Sequence, residues 1–286
     1  MQFWATLQSG LHRLSSPTLG ADPADPVLAY VLRRQPWARR PGAWKQGALA
    51  FAVAAVVTVA LLAFAALAGR ALIDPVLLLI VALRLGFDLM ALLDTLGRLG
   101  PEFASGRWDA LRLTAQTEGV MLRAQDAAAQ ARIWRPLWAA LGAQTCGLLL
   151  AGAWLSVQPL AGDAAGTLVS AAILALLLAL ELLLRVRAVH AVGLALSASA
   201  PRAGIAALFG ALALLPIWLV QLAILLLGLM AAAASASLLD ASVGDVVSGL
   251  LLLALPLLLV MASHGFVRQA ALHRLANAVA ERDLTV

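Results

Sequence analysis

Six runs of apolar residues, each close to the length of a bilayer crossing, decide what this chain can fold into. Four are nearly uninterrupted Leu, Ala and Val: Gly47–Gly69, Leu137–Val157, Thr167–Leu184 and Ile205–Ala234. Two more, Ala71–Leu93 and Val243–Phe266, are slightly more polar. A spanning helix needs about 20 such residues, and in hydrocarbon only a helix or a closed barrel satisfies every backbone N–H and C=O. Over 286 residues the chain is 63% hydrophobic and 12% charged, whereas soluble domains carry roughly 25% charged residues. The sequence therefore predicts an all-α polytopic membrane protein with six transmembrane helices.

The basic residues orient it. The net charge is +5, but the positions of the arginines argue for topology and against nucleic acid. Six Arg or Lys precede the first run (Arg13, Arg33, Arg34, Arg39, Arg40, Lys45), and six lie between the second and third (Arg98, Arg107, Arg112, Arg123, Arg132, Arg135). Three follow the fourth run or close it (Arg185, Arg187, Arg202), and three follow the sixth (Arg268, Arg274, Arg282). The opposite connections hold only Arg70. Positive residues accumulate on the cytoplasmic side, which places both termini and the central loop there, with anionic lipid as the natural partner of the basic balance. The expected division is 1–46 cytoplasmic interfacial helices, 47–93 spans 1 and 2, 94–135 a helical cytoplasmic loop, 136–266 spans 3 to 6 and 267–286 a cytoplasmic tail.

The amino-terminal region has no apolar core ahead of a cleavage site, so span 1 is expected to do the targeting. Phe3, Trp4, Leu7, Leu11 and Leu14 recur at helical spacing and predict an interfacial helix. After Pro17–Pro26, a second helical segment runs from Val27 to Arg34, and Trp37 and Trp44 fit the headgroup layer. Simple anchoring of the amino terminus is the plain alternative. The single cysteine, Cys146, falls inside span 3, which removes intramolecular disulfides and cysteine metal sites.

The most informative polar stretch is Arg98–Arg135, far longer than the roughly 2–8 residues that connect packed helices. Arg107–Leu113 reads as a short helix with Trp108 and Leu111 on one side and Asp109 and Arg112 on the other. Thr114 to Thr117 interrupts it. Thr117 and Glu118 form a helix start, and that helix is expected to continue through Ile133 before Pro136 opens the next span. The loop is thus two helices with an elbow, either a partner-binding element or a solvated connection.

Charges inside spans cost at least ~2.5–3.5 kcal/mol each at the bilayer centre. Arg84 and Asp88 stand four apart in span 2, and Glu181 and Arg185 four apart at the end of span 4, spacings that permit pairing along each helix. The first pair reads as part of a transport path or as structural, the second as structural. Of four histidines, His190 and His264 fall at the cytoplasmic ends of spans 4 and 6 and have the chemistry to sandwich a haem or hold a pigment. Histidine at such a depth is more often a polar anchor, and no cofactor is implied. Pro216 and Pro256 inside spans 5 and 6 predict kinks. No phosphate-binding loop, HExxH, GxSxG or CxxC occurs, and the expectation is a chain that is not an enzyme.

Two stretches resemble the permeases of type-2 ATP-binding-cassette (ABC) exporters. Asp25-Pro26-Val27-Leu28-Ala29-Tyr30-Val31-Leu32-Arg33-Arg34 is similar to that family's cytoplasmic entry helix. Glu102, Gly106, Arg107, Trp108, Asp109, Ala110, Leu111 and Thr114 resemble its coupling helix between spans 2 and 3. The resemblance implies a permease subunit in a bacterial cytoplasmic (inner) membrane, paired as a homodimer or heterodimer and driven by a separate ATPase subunit. Trp108, Asp109, Leu111, Arg112 and Thr114 would engage that ATPase. The cargo would be lipid-like or amphipathic, given spans with little polar lining. The alternative class is an accessory or scaffold subunit of a larger membrane complex, which accounts for the departures from the family pattern: Gln116 near the usual proline, no Gly-Lys around Arg123, and Val31 where the entry helix has an acid.

Overall fold

In a computed structural model, the structure describes residues 26–33, 44–67, 73–96, 98–113, 117–157, 164–199, 208–219, 221–223 and 244–283. Nine helices are described: α1 (Pro26–Val31), α2 (Trp44–Leu67), α3 (Ile73–Leu96), α4 (Leu99–Ala104), α5 (Arg107–Arg112), α6 (Glu118–Ser156), α7 (Ala164–Ser199), α8 (Leu208–Ala223) and α9 (Gly244–Asp283). There is no strand among the described residues. Stretches within α2, α6, α7 and α9, four in all, are long and apolar enough to cross a membrane. The described residues are thus all-helical, with four candidate membrane-spanning helices.

The fifth expected run appears as the shorter α8, and residues 224–234 lie outside the described residues. So do Phe3, Trp4 and the rest of the expected first interfacial helix. The second expected segment is present as α1, begun at Pro26, whose missing N–H is harmless in a first turn. Val27, Leu28 and the following Leu32 are buried within the protein.

Three of the helices overrun their apolar stretches. The helix begun after Thr117 does not stop before Pro136. Thr117 O accepts from Val120 N and Met121 N at 2.9 and 3.2 Å, and α6 then runs 39 residues, through Pro136, to Ser156. Similarly α7 continues past Leu184 to Ser199, and α9 carries Pro256 inside it and continues past Phe266 to Asp283. At ~1.5 Å per residue, the 18 residues of α6 before Pro136 alone extend ~27 Å beyond the apolar half. A proline is tolerated inside such a helix when neighbouring groups stand in for the lost hydrogen bond.

The core is stacked in three tiers along the bundle. Leu62, Val76, Ile80, Leu148, Ala151 and Ala175 form one end. Leu92, Leu96, Leu137, Leu141, Leu182, Val186 and Leu214 form the middle. The third tier, at the polar end, joins α1, α4, α5 and the overrunning parts of α6, α7 and α9, with Leu28, Leu99, Trp108, Met121, Leu194 and Leu275 at its centre.

Small residues let the helices approach closely, as in membrane bundles generally. A Cβ on Gly142 of α6 would stand 2.3 Å from Phe51 O of α2. On Gly193 of α7 it would stand 1.8 Å from Thr95 Oγ1 of α3. The α2–α6 contact is closed at the polar end by Arg135, whose Nε donates to Gln46 Oε1 at 2.7 Å and whose Nη2 donates to the same oxygen.

Candidate functional site: a buried charge ladder

The middle tier encloses four charged side chains from two helices. Arg84 and Asp88 stand one turn apart on α3, and Glu181 and Arg185 one turn apart on α7, with the order of charge reversed. The two helices run in the same direction, so the reversed order puts opposite charges level. Arg84 Nη2 lies 2.6 Å from Glu181 Oε2. One turn on, Arg185 Nε donates to both Asp88 oxygens at 2.8 and 2.9 Å, and its Nη2 donates to Oδ2 at 2.5 Å.

The expected pairing of Arg84 with Asp88 is therefore not what the structure forms. Each takes its closest partner from α7. Side chains four apart on a helix meet only if nothing better faces them, and here a complementary pair faces them. The Glu181–Arg185 spacing does give a contact, at 3.5 Å, as a weaker cross-link between the two rungs.

Two further helices complete the ladder. Trp218 of α8 donates its indole N–H to Asp88 Oδ2 at 2.6 Å. His264 of α9 places Nε2 3.0 Å from Glu181 Oε1. Since a carboxylate only accepts, Nε2 is the donor of that pair, and Gln221 Nε2 of α8 lies 3.4 Å from Nδ1. Asp88 and Glu181 are completely buried, and Arg185, Gln221 and His264 nearly so. Two guanidiniums against two carboxylates sum to zero, the condition under which buried charges are tolerable. Removing one partner strands a charge.

His264 belongs to this ladder, whereas His190 is nine residues beyond Glu181 on α7, about 13 Å along the axis at 1.5 Å per residue. His264 is level with Glu181, so the structure does not bring the two histidines together in the way a haem iron between them requires.

The loop residues take up a different arrangement from the ladder. Gly106, with φ of 66°, makes the turn between α4 and α5 in a conformation that disfavours any side chain. That turn folds Trp108 inward, edge-on to Phe103 with ring centroids 5.2 Å apart, and leaves the indole 2% exposed. Asp109 is exposed on the other side, as the spacing predicts. Arg107 is half exposed and lies 4.0 Å from Glu102. The side chains of Leu111 and Arg112, and all of Thr114, lie outside the described residues. Helix α4, which sequence reasoning missed, ties the loop to α7 through Leu99 N, which donates to Ser197 Oγ at 3.0 Å. Its signal was Pro101-Glu102, a first-turn proline and acid.

Below the loop, Asp94 is shared by Arg98 Nη2 at 2.7 Å and Arg132 Nη1 at 3.3 Å. Burial pushes Arg98 down to about 10, with Asp94 opposing the shift, so it stays cationic at neutral pH.

Searches of family models, curated proteins and solved structures find no match to this chain. The functional reading rests on the ladder and on the way the loop is joined to it.

Proposed function

We propose that this chain is the membrane-spanning permease subunit of an ABC-type exporter, with six spans, both termini in the cytoplasm and a separate ATPase subunit supplying ATP hydrolysis. The observation that carries the reading is a continuous mechanical connection. The short loop helix α5 is fixed through Trp108 in the same core tier as α6 and α7, and α7 carries Glu181 and Arg185 of the ladder. Force applied to the exposed side of α5 reaches the buried charges without crossing a flexible joint. Buried ion pairs inside a membrane are costly to rearrange singly and hold two discrete arrangements, which is what a switch between inward-open and outward-open states requires.

The burial of Trp108 refines which residues would meet the ATPase. The indole anchors α5 to its own chain, and the surface left for a partner is Arg107, Asp109, Ala110 and Leu113, the last 88% exposed. A large apolar side chain at the tip of a polar loop is the usual form of an interface anchor. A second permease copy completes the exporter, in a bacterial inner membrane, and the apolar lining favours a lipid-like or amphipathic cargo.

The same burial favours one second reading, an accessory or scaffold subunit of a larger membrane complex, because an inward-turned tryptophan also suits a loop that is only structural. Purification of the full chain with its native partners separates the two. An ATPase subunit that co-purifies and is lost on Leu113→Asp, with the melting temperature unchanged, supports the exporter. A stable assembly that contains no ATPase, with the loop covered by other membrane subunits, overturns it.

A further inference from the structure

A second group of buried polar residues lies between α6, α7 and α9, apart from the ladder, and its hydrogen-bonding capacity is largely unused. Arg268 Nη2 donates to Asp126 Oδ2 at 3.0 Å, but Arg268 Nε and Asp126 Oδ1 have no partner among the described residues. Arg187 on α7 is close enough for the charges of Arg268 and Asp126 to act on it, and its Nε and Nη2 are also unpartnered. His190, one turn along α7 from Arg187, is completely buried, lies within the fields of Asp126 and Arg187, and has no hydrogen bond at either ring nitrogen among the described residues. Gln130, one turn along α6 from Asp126, is equally buried, with both amide atoms unpartnered.

Burying an amide or an imidazole with nothing to bond is unfavourable, so a cluster of such groups asks for a ligand. The sign of that ligand follows from the inventory. The donors left over are the Arg187 and Arg268 guanidinium N–H groups, the His190 N–H and the Gln130 amide. The acceptors left over are one carboxylate oxygen, the second ring nitrogen of His190 and one amide oxygen. Donors on two guanidiniums and an imidazole fit a tetrahedral oxyanion, and forked Arg–phosphate bonding is the strongest form of that contact. Arg187 is only partly buried and the Arg268 side chain is 38% exposed, so both guanidiniums are reachable by a ligand.

We propose that the α6–α7–α9 junction binds a phosphate group through Arg187, Arg268, His190 and Gln130. The phosphate is either the headgroup of an anionic phospholipid or a soluble phosphate. Basic clusters between helices at the cytoplasmic end of a span bind lipid headgroups in this way.

The experiment uses the purified full chain in detergent, titrated separately with phosphatidylglycerol, phosphatidylcholine and inorganic phosphate, and reads bound ligand by native mass spectrometry and the shift in melting temperature. Saturable stabilisation by phosphatidylglycerol over phosphatidylcholine assigns the phosphate to a lipid. Stabilisation by inorganic phosphate with no lipid preference assigns it to a soluble anion. In either case Arg187→Gln weakens binding about tenfold, the loss of one charge-assisted hydrogen bond.

Gln130→Leu serves where Arg187→Gln does not fold. It raises the melting temperature without ligand, by removing an unsatisfied amide, and reduces the ligand-induced shift. No saturable response to any of the three, or responses that neither substitution changes, overturns the proposal. Because no readout involves an ATPase or transport, failure here leaves the exporter reading untouched.

Discussion

Arg84 forms an ion pair with Glu181 across the α3–α7 contact at 2.6 Å and leaves Asp88, its neighbour one turn along its own helix, to Arg185. Both pairs are 97 residues apart in sequence, since 181 − 84 and 185 − 88 give the same offset, one the structure also records for the Arg185–Asp88 bond. A constant offset is the mark of two parallel helices in fixed register. Sliding α7 by one turn would put Arg185 level with Arg84 and leave Asp88 without a partner, so the ladder fixes the register as well as the contact.

Double-mutant cycles on thermal stability test that pairing. Arg84→Met or Glu181→Met alone strands a buried charge and is expected to cost about 3–5 kcal/mol. The double substitution costs much less, and the same holds for Asp88→Leu with Arg185→Met. The combination of Arg84→Met with Asp88→Leu, by contrast, breaks both rungs and is worse than either single change. Recovery in that third combination, without recovery in the first two, would put the pairing back along α3.

At the loop, two neighbouring substitutions have opposite signatures. Trp108→Ala empties a core position and is expected to lower stability by about 3–5 kcal/mol. Leu113→Asp touches no core and leaves the stability within about 0.5 kcal/mol of wild type. On the exporter reading only the second removes the ATPase from an otherwise intact protein. Equal destabilisation by both would place Leu113 inside a contact that its exposure does not show.

Helix approach is tested by three glycines. Gly193→Val drives methyl groups into Thr95 and Gly142→Val drives them into the Phe51 backbone, each expected to cost about 1–3 kcal/mol by overpacking. At Gly86 a Cβ meets nothing within 4 Å, and Gly86→Ala is expected to stabilise α3 by up to ~1 kcal/mol. The check is the order of the three melting temperatures, with Gly86→Ala highest.

Labelling of single cysteines in a Cys146→Ser background tests the orientation. Positions 12, 107 and 274 are expected to react from the cytoplasm and positions 163 and 240 from outside, following the arginine and lysine bias. Reaction of position 107 from outside sinks both the topology and the exporter reading.

The apolar runs made the long helices legible, because a bilayer-length stretch of Leu, Ala and Val has few alternatives. Also legible were the start of α6 at Thr117 and the short helix from Arg107, both marked by local chemistry. Partner choice was not. The i, i+4 spacing of Arg84 and Asp88 is visible in the sequence, but which way that face points depends on how α3 is rotated against α7. The one available signal was joint: a plus-then-minus pair and a minus-then-plus pair with the same spacing on two parallel helices. The inward turn of Trp108 escaped for a similar reason, since it depends on α4, whose Phe103 packs edge-on to the indole. Pro136 misled because its usual effect on a helix assumes that nothing nearby replaces the missing bond.

Because α6 continues through Pro136, one helix belongs to all three tiers of the core. A 39-residue helix of about 58 Å, at 1.5 Å per residue, is nearly twice the hydrocarbon thickness. It is packed through Met121 and Ala131 at the polar end, Leu137 and Leu141 in the middle, and Leu148 and Ala151 at the far end. The ends of such a rod are not independent: a substitution that tilts α6 in one tier has to be accommodated in the other two.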